Sequence, residues 1–61
     1  MTPIRILLAD DHQVVRRGLS MLLDSQPGFQ VIAEASNGRE AVALAEQHTP
    51  HIAVLDVAGT N

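Results

Sequence analysis

The sequence predicts an α/β fold in which three parallel strands alternate with two helices, in the order β-α-β-α-β. Continuous apolar runs at residues 4–9 and 52–55 are typical of strands that are buried on both faces. Between them lie two segments with helical apolar spacing, separated by an alternating segment at residues 29–36. Because short connections of two to four residues join these elements, we expect right-handed crossovers.

The first strand is predicted at residues 4–9, where IRILLA is apolar except for Arg5. The first helix is predicted over about residues 12–25, because apolar side chains recur there at spacings of three and four. Pro27 and Gly28 follow it as strong helix breakers. We expect the apolar stripe of this helix to join the core: Val14, Val15, Leu19, Leu22 and Leu23.

The second strand, at residues 29–36, has one mostly polar face, which is typical of a strand at the edge of a sheet. The alternation assigns one face to Phe29, Val31, Ala33 and Ala35, and the other to Gln30, Ile32 and Glu34.

The second helix is predicted to begin after Asn37, which can cap it while Glu40 completes a capping box. Thr49 precedes Pro50 and therefore avoids the helical region, so the helix ends there. The third strand, at residues 52–55, ends at Asp56.

The strand order follows from burial. The two fully apolar strands should be neighbours, with the mixed strand outside the first, which gives the order 2-1-3. In that order, successive strands are added first on one side of strand one and then on its other side. The two connecting helices therefore lie on opposite faces of the sheet.

Composition excludes several function classes. The chain has 61 residues, a formal net charge of −3 and no cysteine. Without a basic stripe, direct nucleic-acid binding is not expected. With no long apolar segment and no signal-peptide pattern, we expect a cytoplasmic chain that does not enter a membrane.

Three carboxylates follow the two buried strands. Asp10 and Asp11 end the first strand and Asp56 ends the third. Carboxyl ends of neighbouring parallel strands form the usual ligand site of open α/β sheets. Three converging carboxylates repel one another, so they need a cation or one must keep its proton, and Mg²⁺ suits such oxygen ligands. Taken singly, Asp11 could instead cap the helix and Asp56 could open a turn.

The motifs resemble a known family. Residues 6–12 (ILLADDH), continuing to 15–16 and 18–19, are similar to the opening of response-regulator receivers that carry a LuxR-type helix-turn-helix output domain. Residues 35–41 resemble the second strand-to-helix turn of that family, and residues 50–57 its third strand and phosphorylation site. The resemblance implies a flavodoxin-like receiver fold, here truncated.

The resemblance also implies roles. Asp56 would accept a phosphoryl group from a sensor histidine kinase. Asp10, Asp11 and Asp56 would surround Mg²⁺, with Asp11 as a direct ligand and the backbone carbonyl of Ala58 as another. The intact parent would be a transcriptional regulator, and this part of it a signalling module, not an enzyme.

The resemblance stops after Val57, where Gly59, Thr60 and Asn61 stand in place of the Met-Pro typical of the family. We therefore expect residues 1–61 to be an incomplete receiver domain without its DNA-binding output domain. The family's later hydroxyl residue and lysine have no counterpart, so weak Mg²⁺ binding and poor or absent phosphorylation are expected. The third strand would become an exposed edge, which favours self-association.

Other interpretations stay open. An aspartyl phosphatase or phosphotransferase is disfavoured, because such enzymes add a lysine and this chain has none. A fragment that acts through its exposed strand, or a non-functional truncated product, are the alternatives. Consecutive residues at a strand end point in different directions, so His12 is expected to start the helix and not to bind metal. His48 and His51 are expected to be solvated loop residues.

Overall fold

The computed structural model describes residues 2–56 and confirms the predicted order of strands and helices. Within these residues neither helix is long and apolar enough to span a membrane. The elements, in chain order, are β1 (Ile4–Asp10), α1 (Gln13–Asp24), β2 (Phe29–Ala35), α2 (Gly38–His48) and β3 (Ile52–Asp56).

The three strands form one parallel sheet in the predicted order β2-β1-β3. The central strand β1 is buried from Ile6 to Asp10, as its continuous apolar run predicts. By contrast, every residue of β3 is exposed. The burial that its apolar run predicts is therefore wrong for this strand, whereas the expected open edge is observed. The outer position of β2 is also as predicted.

The alternation predicted for β2 is wrong at its middle. The register pairs Ile6 with Val31 but Leu7 with Ala33, so Ile32 is an extra residue in β2. Because paired residues point to the same face, the side-chain alternation of β2 shifts by one at this bulge. Ala33 and Ala35 therefore share a face with β1 residues Leu7 and Ala9, whereas Val31 does not.

The two helices cover opposite faces of the sheet, as predicted. On the α2 face, Ala41 packs with Leu7, Ala9 and Ala35 in a small buried cluster. On the α1 face, Arg16 reaches Glu34, which is the register partner of Leu8. Successive residues of β1 thus contact different helices, which is why the strand is buried on both sides.

The apolar stripe of α1 is less buried than expected. Val14 is 85% exposed and Leu22 is 58% exposed, and the buried residue of α1 is Ser20. Among the described elements α1 packs on β1 and β2, so one side of its stripe lacks a partner.

Both ends of α2 are fixed by hydrogen bonds. Asn37 Oδ1 accepts from the Glu40 amide at 2.8 Å, as the predicted cap requires. The Glu40 carboxylate accepts from the Ser36 amide at 2.6 Å, one residue earlier than in a standard capping box. At the other end Thr49 stops the helix in the left-handed region, at φ 44°, just before Pro50.

Candidate functional site

Asp10 and Asp56 are direct register partners at the carboxyl ends of β1 and β3. Adjacent strands lie about 4.8 Å apart, and paired residues project to the same face. The structure thus brings together two residues that are 46 positions apart in sequence, in the manner that the predicted strand order requires. Asp10 is fully buried, whereas Asp56 is exposed.

The two carboxylate oxygens of Asp10 have different surroundings. Oδ1 accepts a hydrogen bond from the His12 amide at 2.8 Å. Oδ2 is buried and has no hydrogen-bond partner among the described residues. Burying a carboxylate oxygen without a partner is costly, so it is usually retained for a function such as metal binding.

Asp11 and His12 continue the site toward solvent. His12 Nδ1 lies 3.1 Å from Asp11 Oδ1 and 3.4 Å from Asp10 Oδ1. One potential ligand atom from each of these three residues lies within 4.8 Å of the others. Asp56 does not belong to this tighter group, although its backbone is paired with that of Asp10. Ala58, the backbone ligand expected from the sequence, lies outside the described residues.

The donor set fits a hard divalent cation. Two adjacent carboxylates supply oxygen ligands, and the unpartnered Asp10 Oδ2 gives the site a buried oxygen that a cation could satisfy. Mg²⁺ commonly takes one or two carboxylates and fills its remaining positions with water. Since Asp11 is partly exposed and Asp10 is buried, such an ion would bind at the rim of the sheet.

A mostly buried arginine supports the site from α1. Arg16 Nη1 donates to the main-chain carbonyl of Asp10 at 2.9 Å, and its Nε lies 3.3 Å from Glu34 Oε1. Arg17 reaches the other oxygen of Glu34 at 3.3 Å but is far more exposed. Two adjacent arginines on a helix do not by themselves indicate such a contact. The signal that could have revealed the contact is Glu34, a charged residue between two alanines at the end of a strand.

An apolar cleft lies on the other side of the sheet. It has a volume of about 270 Å³ and is lined by residues of α2 and β3, among them Val42, Ala45 and Leu55. The cleft opens beside the β3 edge and is separate from the carboxylate site.

Comparison with known proteins identifies the family. The response regulator receiver domain matches residues 6–58. The transcriptional regulatory protein LiaR of Bacillus subtilis is 48% identical over 54 residues, which are 88% of this chain and 26% of LiaR. The nitrate/nitrite response regulator NarP of Escherichia coli is 39% identical over 56 residues, which are 92% of this chain and 26% of NarP.

A solved structure gives the same result. The crystal structure of a LuxR-family two-component response regulator from an Aurantimonas species aligns with a TM-score of 0.79 and 42% identity, and covers 85% of this chain and 37% of that one. The chain therefore spans about a quarter of the length of these curated relatives. With its family match, its parallel 2-1-3 sheet and the paired aspartates at the strand ends, the chain belongs to the response regulator receiver domain family.

Proposed function

We propose that this chain is a phosphoacceptor in two-component signalling, with Asp56 as the residue that receives the phosphoryl group from a sensor histidine kinase. The pairing of Asp56 with Asp10, whose Oδ2 is buried and unpartnered among the described residues, is the observation that supports this most directly. Asp56 is exposed, so a donor can approach it from solvent. Asp10 stands beside it as a fixed, buried charge.

The chemistry requires few groups. A carboxylate oxygen of Asp56 attacks phosphorus and forms a new P–O bond, while the P–N bond to the donor histidine breaks and the leaving imidazole takes up a proton. Phosphoryl transfer depends mainly on positioning and on neutralisation of charge. Positioning comes from the β1–β3 pairing, which holds Asp56 next to Asp10.

We further propose that Mg²⁺ binds at Asp10, Asp11 and Asp56, with the backbone carbonyl of Ala58 as an additional ligand. When bound, Mg²⁺ would neutralise charge on the transferring phosphoryl oxygens. Asp10 fits the role of a preformed ligand, because its backbone is held by Arg16 and its Oδ1 by the His12 amide. In this role the chain is a signalling module of the cytoplasm, and its longer relatives suggest a parent that regulates transcription.

Intact-mass spectrometry tests the phosphoacceptor assignment. The chain is incubated with acetyl phosphate as a small phosphodonor, with and without Mg²⁺. We expect slow labelling by one phosphoryl group that depends on Mg²⁺ and is lost in Asp56→Asn. Asp24→Asn, an exposed aspartate at the end of α1, is the matched control and should be labelled like the wild type. Labelling that survives Asp56→Asn, or labelling that is equally fast with and without Mg²⁺, would refute the proposal.

A second candidate role is self-association through the β3 edge. One side of β3 pairs with β1, and within residues 2–56 no strand pairs with the other side. Its side chains are apolar up to Asp56 and remain exposed, Ile52 at 45% and Leu55 at 60%. An exposed apolar edge of this kind is a template for another strand.

Charge favours one arrangement of two copies. Parallel pairing in register would place two Asp56 carboxylates side by side, which is destabilising. Antiparallel pairing centred on Val54 instead places each Asp56 opposite Ile52 of the partner copy. We therefore propose an antiparallel dimer with a continuous six-stranded sheet.

A further inference from the structure

The imidazole of His12 lies closer to the acidic pair than the strand-end argument from sequence predicted. A single atom, Nδ1, approaches Oδ1 of both Asp11 and Asp10, at 3.1 and 3.4 Å. The same three residues are the group whose potential ligand atoms converge. A nitrogen donor therefore stands at the open side of a site that otherwise consists of carboxylates.

These distances suit ligands that share one ion. With metal–ligand bonds of about 2.0–2.2 Å, neighbouring ligand atoms are about 2.8–3.1 Å apart in an octahedral site and about 3.3–3.6 Å apart in a tetrahedral one. The Nδ1–oxygen separations of 3.1 and 3.4 Å fall in this range. The two separations that involve His12 are therefore compatible with a shared ion.

The backbone around His12 is fixed, whereas its side chain is free to adjust. The His12 amide donates to Asp10 Oδ1, and its carbonyl accepts from the Arg16 amide at 2.8 Å at the start of α1. The side chain is 73% exposed, so a small rotation of the ring meets no packed neighbour. Asp10 completes the arrangement with a fully buried carboxylate whose Oδ2 lacks a partner among residues 2–56.

We propose that His12 joins Asp10 and Asp11 as a third ligand of borderline divalent transition ions such as Cu²⁺ and Zn²⁺, and so increases the preference of this site for these ions over Mg²⁺. Imidazole nitrogen is a preferred ligand of these ions, whereas Mg²⁺ prefers oxygen. The proposal uses the acidic site of the proposed function but does not require Asp56, which lies outside the converging group. A transition ion held in this way would compete with the Mg²⁺ that phosphorylation needs.

The other two histidines lie at the opposite end of the sheet and provide controls. His48 is the last residue of α2, and Nδ1 of His51 accepts a hydrogen bond from the Arg5 amide. Neither belongs to a group of three potential ligands within the part of the chain that the structure describes.

Pulsed electron paramagnetic resonance with Cu²⁺ alone as the probe tests the assignment, because the remote nitrogen of a coordinated imidazole modulates the echo and a coordinated amine does not. The full chain is compared with His12→Asn, His48→Asn and Asp56→Asn. Asparagine is a favourable N-cap, so His12→Asn should keep the start of α1, and circular dichroism verifies this. We expect imidazole modulation in the wild type, His48→Asn and Asp56→Asn, and its loss in His12→Asn.

Affinity gives an independent measure. His12→Asn should weaken Cu²⁺ binding about tenfold or more and leave Mg²⁺ binding unchanged within about twofold. Modulation that persists in His12→Asn, or disappears in His48→Asn, would overturn the proposal. Since Asp56→Asn removes the phosphoacceptor but keeps the three ligands, the proposed function and the His12 assignment can fail separately.

Discussion

The backbone amide of Arg5 donates a hydrogen bond to Nδ1 of His51 at 2.9 Å, and the amide of His51 donates one back to the carbonyl of Arg5, also at 2.9 Å. The guanidinium of Arg5 also donates to the backbone carbonyls of His48 and Thr49. One residue of the central strand thus fixes the C-terminal end of α2 and the entry into β3. Positive charge at a helix C-terminus is favourable in itself.

Replacing Arg5 by methionine should lower the free energy of unfolding by about 1–3 kcal/mol, because two helix-terminal carbonyls lose a charged donor. Urea unfolding followed by circular dichroism measures the change. Arg39→Met is the matched control, since the guanidinium of Arg39 makes no hydrogen bond to the described residues, and it should change stability by less than about 0.5 kcal/mol. Equal effects of the two substitutions would show that Arg5 does not anchor the helix.

The two arginines that contact Glu34 should contribute unequally to the free energy of unfolding. Arg16 has a side chain only 15% exposed and also binds the Asp10 carbonyl, whereas Arg17 is 64% exposed. We expect Arg16→Met to cost about 1–3 kcal/mol, because it leaves Glu34 and a carbonyl with fewer partners. Arg17→Met should cost at most about 0.5 kcal/mol, since solvent screens its ion pair.

Salt provides a check on this ranking. Raising ionic strength should weaken the small Arg17 contribution and change the Arg16 contribution little, because buried pairs are screened less. The same urea titrations at low and high NaCl measure both. A larger loss for Arg17→Met than for Arg16→Met would contradict the assignment of Arg16 as the supporting residue.

Much of the fold could be predicted because buried segments have a recognisable pattern of apolar residues in the sequence. The uninterrupted apolar run of β1 predicts a strand with helices on both sides, and this placement brings Asp10 beside Asp56. The bulge at Ile32 could not be predicted, since it is a matter of register between strands and leaves no pattern in β2 alone.

The side chains that surround the site were harder to predict than the strands. Consecutive residues at a strand end usually diverge, so the sequence does not predict a contact between His12 and the aspartates, yet the turn into α1 brings its Nδ1 back to both of them. Arg5 interrupts an apolar run, and nothing local indicates that it reaches residues more than 40 positions away. Such contacts depend on tertiary placement, which periodicity does not encode.

The Glu40 carboxylate should make the stability of α2 depend on pH. Hydrogen bonds from the Ser36 amide and hydroxyl hold the pKa of Glu40 below its usual value of 4.5. A carboxyl whose pKa is lowered by folding stabilises the protein above its unfolded pKa, and this contribution is lost as the pH falls through the folded value.

Glu40→Gln therefore should be less stable than the wild type at pH 7, and the difference should shrink in acid below about pH 4.5. Thermal unfolding followed by circular dichroism at 222 nm, from pH 7 to below pH 4.5, measures this difference in stability. Glu46→Gln, an exposed change on the same helix, is the control and should show a smaller pH-dependent difference. If the stability difference between Glu40→Gln and the wild type grew as the pH fell, the predicted effect of the Glu40 carboxylate would be wrong.

Leu55 provides the test of self-association. It is 60% exposed, lines the apolar cleft and belongs to the unpaired β3 edge. Leu55→Lys should shift the sedimentation profile from dimer to monomer, because a charged residue on an edge strand opposes pairing. Val14→Lys removes an even more exposed apolar side chain from α1 and should leave the profile unchanged. If both variants lose the dimer, general hydrophobic association and not β3 pairing would account for it.

The buried carboxylate of Asp10 predicts opposite effects on stability and on metal binding. Its Oδ2 is buried without a partner in residues 2–56 and Asp56 is its register partner, so the Asp10 side chain is a cost to the metal-free fold. Asp10→Asn should therefore keep or raise the metal-free unfolding temperature.

In the wild type, Mg²⁺ at a hundred times its dissociation constant should add about 2.7 kcal/mol of stability, and Asp10→Asn should abolish this increase. Asp24→Asn is the control, because the Asn side-chain oxygen can still accept the hydrogen bond that the Val31 amide donates to Asp24 at 3.0 Å. Position 24 is also remote from the site, so stability should change by less than about 0.5 kcal/mol and the Mg²⁺ response should be kept. An Asp10→Asn protein that is less stable without metal, or that still responds fully to Mg²⁺, would mean that Asp10 is held for structure and not for the ion.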